Sequence, residues 1–506
     1  MTAAAPNEIR KAESVFKPAL LLMSGRTLAF LATFFIPVVL TRIFDPGQFG
    51  TYKQLFLVYS TVFFTAQLGM ATSLFYFLPS APLDAGRYVA NSLAFLAAAG
   101  MVGFGVLVVA APQVGRSMSN GALTQYLPWI GLYLLLMMLS AALEIVLIAR
   151  RKYLWASASY CLSDLARAAA FILPVLLFRR LDWLLRGAVL VAGLRTILTM
   201  LYFRSEFRGS FRIDLRLMRR QLAYALPLGM SVLVEILQGS VPPYLVSYLS
   251  TPATFAIFAV GCLSIPLVDF AASPTSDVMM VRMQESLAAG HKGSVVEIWH
   301  DTTWKLALLF FPLTALVIVS ARELIVLLFT QKYVASVPLF MAWSLLILMA
   351  TFQVDGALRV FAQTRVLLVL NLVRLAIVGG FIAISLREFH LLGPVLVIVL
   401  ATLTFKVLAL ARMTTLLEVS LIQLLPWRQL GALLVVSAAA AAAALLVRSL
   451  MHESRVAVLL AMSVTHILVY GLLVWRFRLL HETERSAIGA WFHKTSSRYF
   501  RVAYGD

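Results

Sequence analysis

The chain is poor in charge, and poorest in acid: Asp and Glu number 23 against 42 Lys and Arg, and charged residues make up only 13% of its 506 positions. Soluble domains carry about a quarter of their residues charged, so a solvated globular surface is excluded. Cysteine is nearly missing. Cys161 and Cys262 both lie in apolar segments and show neither disulfide nor metal-ligand spacing. The seven histidines are scattered, and no DxD, GxxxxGK[ST] or HExxH motif occurs. Outer loops are too short for a catalytic domain. These absences argue against an enzyme and against an ATP-driven pump, and no cofactor or metal site is expected.

What the chain has is apolar length. Hydrophobic residues are 61% of the sequence, and runs of about 20 apolar residues suffice to cross a bilayer as helix. Such runs lie near 19–41, 54–77, 88–111, 127–149, 155–177 and 188–203. A second set lies near 222–249, 253–280, 306–328, 338–358, 366–386 and 391–413, and two more near 430–447 and 456–475. The expectation is an all-α polytopic membrane protein of about 12–14 transmembrane helices. The first apolar stretch is too long for a signal-peptide core and reads as an uncleaved span.

A repeat organises these spans. Thr41 to Tyr52 reads TRIFDPGQFGTY, and Ser247 to Phe258, 206 positions later, reads SYLSTPATFAIF. Pro46, Phe49 and Tyr52 fall on Pro252, Phe255 and Phe258, and the same offset carries Pro37 onto Pro243. Transporters are often built from two related halves with the substrate between them. The resulting division is a cytoplasmic segment 1–18, an N-lobe 19–203, a basic bridge 204–221, a C-lobe 222–413, two additional spans within 414–475 and a basic tail 476–506.

Orientation follows from Lys and Arg, because loops rich in them stay cytoplasmic. With the N-terminus inside, roughly 26 fall inside and about 11 outside. Arg150, Arg151 and Lys152 follow the fourth span, and Arg204, Arg208, Arg212, Arg216, Arg219 and Arg220 follow the sixth. Both termini are therefore expected to be cytoplasmic. The bias accounts for the net charge of +19 without nucleic acid. On a surface helix, the arginines of the bridge would face anionic lipid headgroups. Pro242, Pro243 and Pro274 are expected to interrupt their helices.

Ionisable groups at membrane depth cost at least about 2.5–3.5 kcal/mol each and usually face a cavity or a partner. Asp164 with Arg167, and Asp355 with Arg359, are spaced for ion pairs on one helix face. Arg26, Arg374 and Lys406 have no acid at i±3 or i±4. Snorkelling is the rival reading for Arg26 and Lys406, whereas Arg374 sits near the middle of its span. Arg195 and Glu144 are further ionisable groups within spans. Cations lining a cavity would hold an anionic group. Glu235 and Asp269 read as coupling-ion ligands for H+ or Na+, or as salt-bridge partners of those cations.

The PxxFGxY loop after the first span, the basic bridge, the similar loop after span seven, and Gln331-Lys332-Tyr333 followed by Pro338 carry a resemblance. Over about residues 15–415 the chain resembles the Wzx-like polysaccharide-transporter branch of the multidrug/oligosaccharidyl-lipid/polysaccharide (MOP) exporter superfamily. The resemblance implies two pseudo-symmetric six-helix lobes around a cationic central cavity, with two C-terminal helices added. It implies a flippase for polyprenyl-diphosphate-linked oligosaccharides in the bacterial inner membrane, serving surface polysaccharide synthesis. Arg26, Arg374, Lys406 and Arg195 are the candidate diphosphate-binding residues. Membrane lipids, a polysaccharide polymerase and a chain-length partner are the implied associates. Fourteen spans are similar to lipid II flippases of the same superfamily. A cation-coupled multidrug exporter and a membrane glycan polymerase are the remaining alternatives. The run Ala438 to Ala444 is expected to pack closely on a neighbouring helix.

Overall fold

The computed structural model describes residues 30, 33–451 and 454–480. Segment 1–18, Arg26, most of the first expected span and the tail from 481 lie outside the described residues. The chain forms two compact units, through Ala259 and from Val260. Every regular element among the described residues is helical.

The first unit opens with α1 (Thr33–Ile43) and α2 (Pro46–Ala66), α3 (Leu74–Ser80), α4 (Ala85–Ser117), α5 (Ala122–Ser140), α6 (Leu143–Ala149), α7 (Tyr153–Phe178), α8 (Leu181–Glu206) and α9 (Leu215–Leu249). α10 (Pro252–Gly261) crosses the division. The second unit holds α11 (Pro266–Ala288), α12 (Lys292–Val319), α13 (Ala321–Phe329), α14 (Val337–Met349), α15 (Val354–Val360), α16 (Thr364–Phe389), α17 (Leu392–Leu417), α18 (Leu421–Leu424), α19 (Trp427–Leu450) and α20 (Arg455–Arg476). Among the described residues, eleven helical stretches are long and apolar enough to span a membrane, α5 with α6 and α14 with α15 counting once each. The pair α10–α11, bent by 51°, makes a twelfth.

The repeat is visible in the backbone. α1 ends at Ile43 and α9 at Leu249, and α2 and α10 begin at Pro46 and Pro252, each pair at the same offset. Both second helices start by one device. Asp45 accepts from the Gln48 amide at 2.9 Å, and Thr251 Oγ1 from the Thr254 amide at 3.3 Å, with proline in the first helical position. A side-chain cap followed by proline satisfies a free amide and pre-sets φ. α9 is capped by Asp214, which accepts from Arg216 and Leu217. Asn91 holds that cap through both backbone groups of Asp214, at 3.0 and 2.9 Å.

Three expectations are modified. The second span is broken, because α2 stops at Ala66 and the chain turns through Leu68 and Gly69, both at positive φ. The turn brings Leu68 against Gly229 of α9, where any Cβ would collide with the Leu68 backbone. Pro227, Pro242 and Pro243 lie inside a continuous α9, and Pro274 inside α11. The real interruption is at 262–265, ahead of Pro266. The bridge is not one surface helix either: Gly209, at φ +83°, lies in the non-helical stretch 207–214, and only Arg216, Arg219 and Arg220 share the first turns of α9.

Each unit has its own core. In the first, Leu74, Phe77, Tyr88, Phe203 and Phe207 cluster, while Tyr59 packs on Tyr133 with ring centroids 4.9 Å apart. In the second, Trp299, Trp304, Met283 and Leu410 pack with Leu430 and Leu433 of α19. Ala440, Ala441 and Ala444 are buried, and Ala444 meets Val458 and Met462 of α20. The alanine run therefore serves close helix packing.

Candidate functional site

In the second unit, Asp355 at the start of α15 faces two helices carrying unmatched cations. Lys406 of α17 donates through Nζ to the Phe352 carbonyl at 2.8 Å and to Asp355 Oδ2 at 3.2 Å. The Lys406 side chain is 15% exposed and that of Asp355 43%. Arg374 of α16 feels the field of Asp355 and is half-buried. It makes no ion pair or hydrogen bond among the described residues. Further along α17, Arg412 donates through Nε and Nη2 to Gln363 Oε1 at 3.2 and 2.9 Å. Lys406 and Arg374 thus share one carboxylate. At membrane depth such a surplus calls for an anionic partner, and guanidinium suits phosphate oxygens through paired N–H donors.

Arg195 behaves differently. Its Nη2 donates to both Glu144 oxygens, at 3.0 and 2.9 Å, and Ser159 donates to the same carboxylate at 2.8 Å. Glu144 is 4% exposed. A buried charge needs a hydrogen-bonded partner, and this pair supplies one inside the first unit, so Arg195 is not a free cation. Asp164 and Arg167 do pair along α7. Asp355 reaches across to Lys406, and no ion pair joins it to Arg359 among the described residues.

Glu235 of α9 and Asp269, in the first turn of α11, are both exposed. Neither meets a cation in an ion pair among the described residues. No group of three or more His, Cys, Asp or Glu among those residues has a metal-binding arrangement. Elsewhere in the first unit, Glu206 gathers Lys152 at 2.6 Å and Arg150 at 3.7 Å. The Glu206 hydrogen bond raises the Lys152 ammonium above its ordinary pKa.

A family model described as polysaccharide biosynthesis protein matches residues 39–338. The chain belongs to this family. Among solved structures, this polysaccharide biosynthesis family member is similar to lipid II flippase MurJ in an inward closed conformation, with 11% identity, a TM-score of 0.71 and coverage of 91% of this chain and 98% of that one. An inward-facing multidrug-resistance MATE transporter of the MOP superfamily gives 14% identity and a TM-score of 0.58 over 79% and 98% of the two chains. A Vibrio cholerae MATE transporter gives 12% and 0.53 over 81% and 99%. No match was found among curated proteins. At these identities the likeness shows the fold, which is that of the MOP superfamily, and the family fits the Wzx-like branch. Family and fold together support a multi-pass membrane transporter.

Sequence spacing missed the partners that cross between helices in this family member. Glu144 and Arg195 are 51 positions apart, as are Asp355 and Lys406. Arg448 meets Glu323 at 2.9 Å from α19 to α13. The only local signal was an ionisable residue within an apolar run, which marks that a partner exists without naming it.

Proposed function

We propose that the chain flips polyprenyl-diphosphate-linked oligosaccharide repeat units across the bacterial inner membrane, for surface or exopolysaccharide assembly such as O-antigen or capsule. The observation that carries this reading is Arg374, unpaired among the described residues, beside the Lys406–Asp355 pair, in a member of a polysaccharide biosynthesis family. Arg374 and Lys406 take the diphosphate. Arg26, outside the described residues, is a sequence-based candidate for the same role. Arg195, held by Glu144, is left out.

Alternating access between two six-helix lobes, 19–203 and 222–413, moves the polar head through a hydrated path while the polyprenyl tail stays in lipid. This route avoids drawing hydroxyls and phosphates through hydrocarbon, where each unpaired polar group costs several kcal/mol. An ion gradient or the membrane potential supplies the work, with Glu235 and Asp269 as carboxylates for H+ or Na+. Both termini lie in the cytoplasm, and a polymerase and a chain-length protein act on the product outside. A multidrug exporter for cations would need an acidic site, whereas this cluster is basic.

Gene deletion in the native host, followed by mass spectrometry of the polyprenyl-linked pool, tests the reading. Accumulated diphosphate-linked repeat units without surface polymer are expected. A normal pool with altered drug tolerance would overturn the proposal. The second reading, a lipid II flippase, is favoured by the fold likeness over 91% of the chain, and accumulated lipid II in the same experiment would establish it.

A further inference from the structure

A cavity of about 470 Å3 opens in the first unit, lined by none of the cation candidates. Its size falls within the range of small-molecule sites, roughly 300–1,000 Å3. Four segments enclose it: the start of α2, the α4–α5 turn, the α7–α8 turn and the start of α10. The Lys and Arg bias assigns all four to the outer face. Two of them are the paired copies of the repeated turn.

The lining is polar and carries no excess of positive charge. Asp45 and Asp182 contribute carboxylates and Gln48 an exposed amide. Arg180 meets Asp182 at 3.0 Å, and Arg186, which does not line the cavity, approaches it at 3.7 Å. Within the lining, two carboxylates against one guanidinium leave no surplus positive charge for a phosphate. Buried Asn120 donates to Thr51 Oγ1 at 2.9 Å and to Gln54 Oε1 at 2.6 Å. Gln54 in turn donates to Ser247 Oγ at 2.9 Å, which fixes the wall. Tyr126 and Pro252 add apolar area beside these groups.

Acceptors, donors and an apolar patch, without surplus positive charge, match a ligand bearing many hydroxyls on one edge and C–H bonds on its faces. Hydroxyls donate to carboxylates in charge-assisted hydrogen bonds and accept from amide and guanidinium N–H groups. The C–H face rests on the aromatic ring. We infer that this cavity binds a neutral saccharide on the outer side, separately from the diphosphate cations. The identity of that saccharide as a sugar of the transported unit rests on the function proposed above.

Gln48 and Tyr126 form no side-chain hydrogen bonds among the described residues, so Gln48→Ala and Tyr126→Ala leave the fold's own hydrogen bonds in place. The probe is a lipid-free, phosphate-free oligosaccharide released from the host's surface polysaccharide, offered to the full-length chain in nanodiscs and followed by saturation-transfer NMR. Wild type is expected to bind it. Each variant is expected to weaken binding about tenfold, equivalent to about 1.4 kcal/mol, at unchanged melting temperature, while Arg374→Ala binds as wild type does. No binding by wild type, or equal binding by the two variants, overturns the inference. Translocation of lipid-linked oligosaccharide, measured on the same preparations, separates the two ideas. Translocation without saccharide binding removes the site and spares the flippase. Binding without translocation supports the site and removes the flippase.

Discussion

Gly50 of α2 lies against Pro252 at the head of α10 so closely that a Cβ on Gly50 would overlap the Pro252 carbonyl oxygen. Pro252 is the counterpart of Pro46, four residues before Gly50, so the two copies of the repeated turn are packed on each other. The contact is reinforced by the hydrogen bond from Gln54 to Ser247, 193 positions apart. Gly50→Val therefore overpacks a junction with no room to relax. A loss of about 1–3 kcal/mol is expected, read as a lower melting temperature in detergent. Gly105→Ala, at a position with nothing within 4 Å of the added carbon, should leave that temperature unchanged or raise it.

Arg195 and Glu144 form a buried pair, with side chains 19% and 6% exposed. Removing one partner leaves the other charged and unpaired, at a cost of about 3–5 kcal/mol. Arg195→Met is expected to reduce membrane abundance sharply, and the double variant Arg195→Met with Glu144→Leu to restore much of it. Equal abundance of the single and double variants would show that the pair is not structural.

Arg374 is expected to give the opposite pattern. Having no partner among the described residues, it contributes nothing that Arg374→Ala would strand. That variant should reach the membrane at wild-type abundance and fail to restore surface polymer in a deletion strain. Arg374→Lys keeps the charge and loses the two-pronged donor geometry, so partial restoration is expected. Full activity of the alanine variant would end the proposed role.

The sequence made the apolar spans legible because each depends on residues close together in the chain, and the repeat because its offset is constant. The offset between Pro46 and Pro252 holds to the residue in the helix starts. The ion pairs were half legible. Asp164–Arg167 lies on one helix face and was readable from spacing, whereas Asp355 chose Lys406 over Arg359 because α17 presents the ammonium to it across a helix contact. Arg195 stood among the diphosphate candidates for the same reason: its carboxylate lies on another helix. The outer cavity had no signal, since Asn120, Arg180 and Thr251 are ordinary turn residues until folding brings them together.

Topology can be read from two cysteines. Cys161 and Cys262 are neither disulfide-bonded nor strongly exposed, and their replacement by serine gives a background for single-cysteine labelling. In that background Gln48→Cys should react with an impermeant maleimide added to intact spheroplasts. Arg212→Cys should react only after the membrane is opened. The reverse pattern would invert the orientation drawn from the Lys and Arg bias and move the saccharide cavity to the cytoplasm.

Asp355 competes with any incoming anion for Lys406. Its carboxylate is 43% exposed while the ammonium it holds is only 15% exposed, so an arriving phosphate meets the carboxylate before it meets the cation. Asp355→Asn keeps the shape and removes the competing charge, leaving Lys406 its bond to the Phe352 carbonyl. If the cluster binds diphosphate, pyrophosphate should bind this variant several times more tightly than wild type in calorimetry at low ionic strength, and the gain should shrink as salt screens the charges. Transport should fall at the same time, because a substrate held more tightly in one state must still be released in the other. Tighter pyrophosphate binding with faster transport would mean that release is not limiting. Unchanged binding would mean that the anion is held elsewhere, and Arg374 and Lys406 would then return to a structural role.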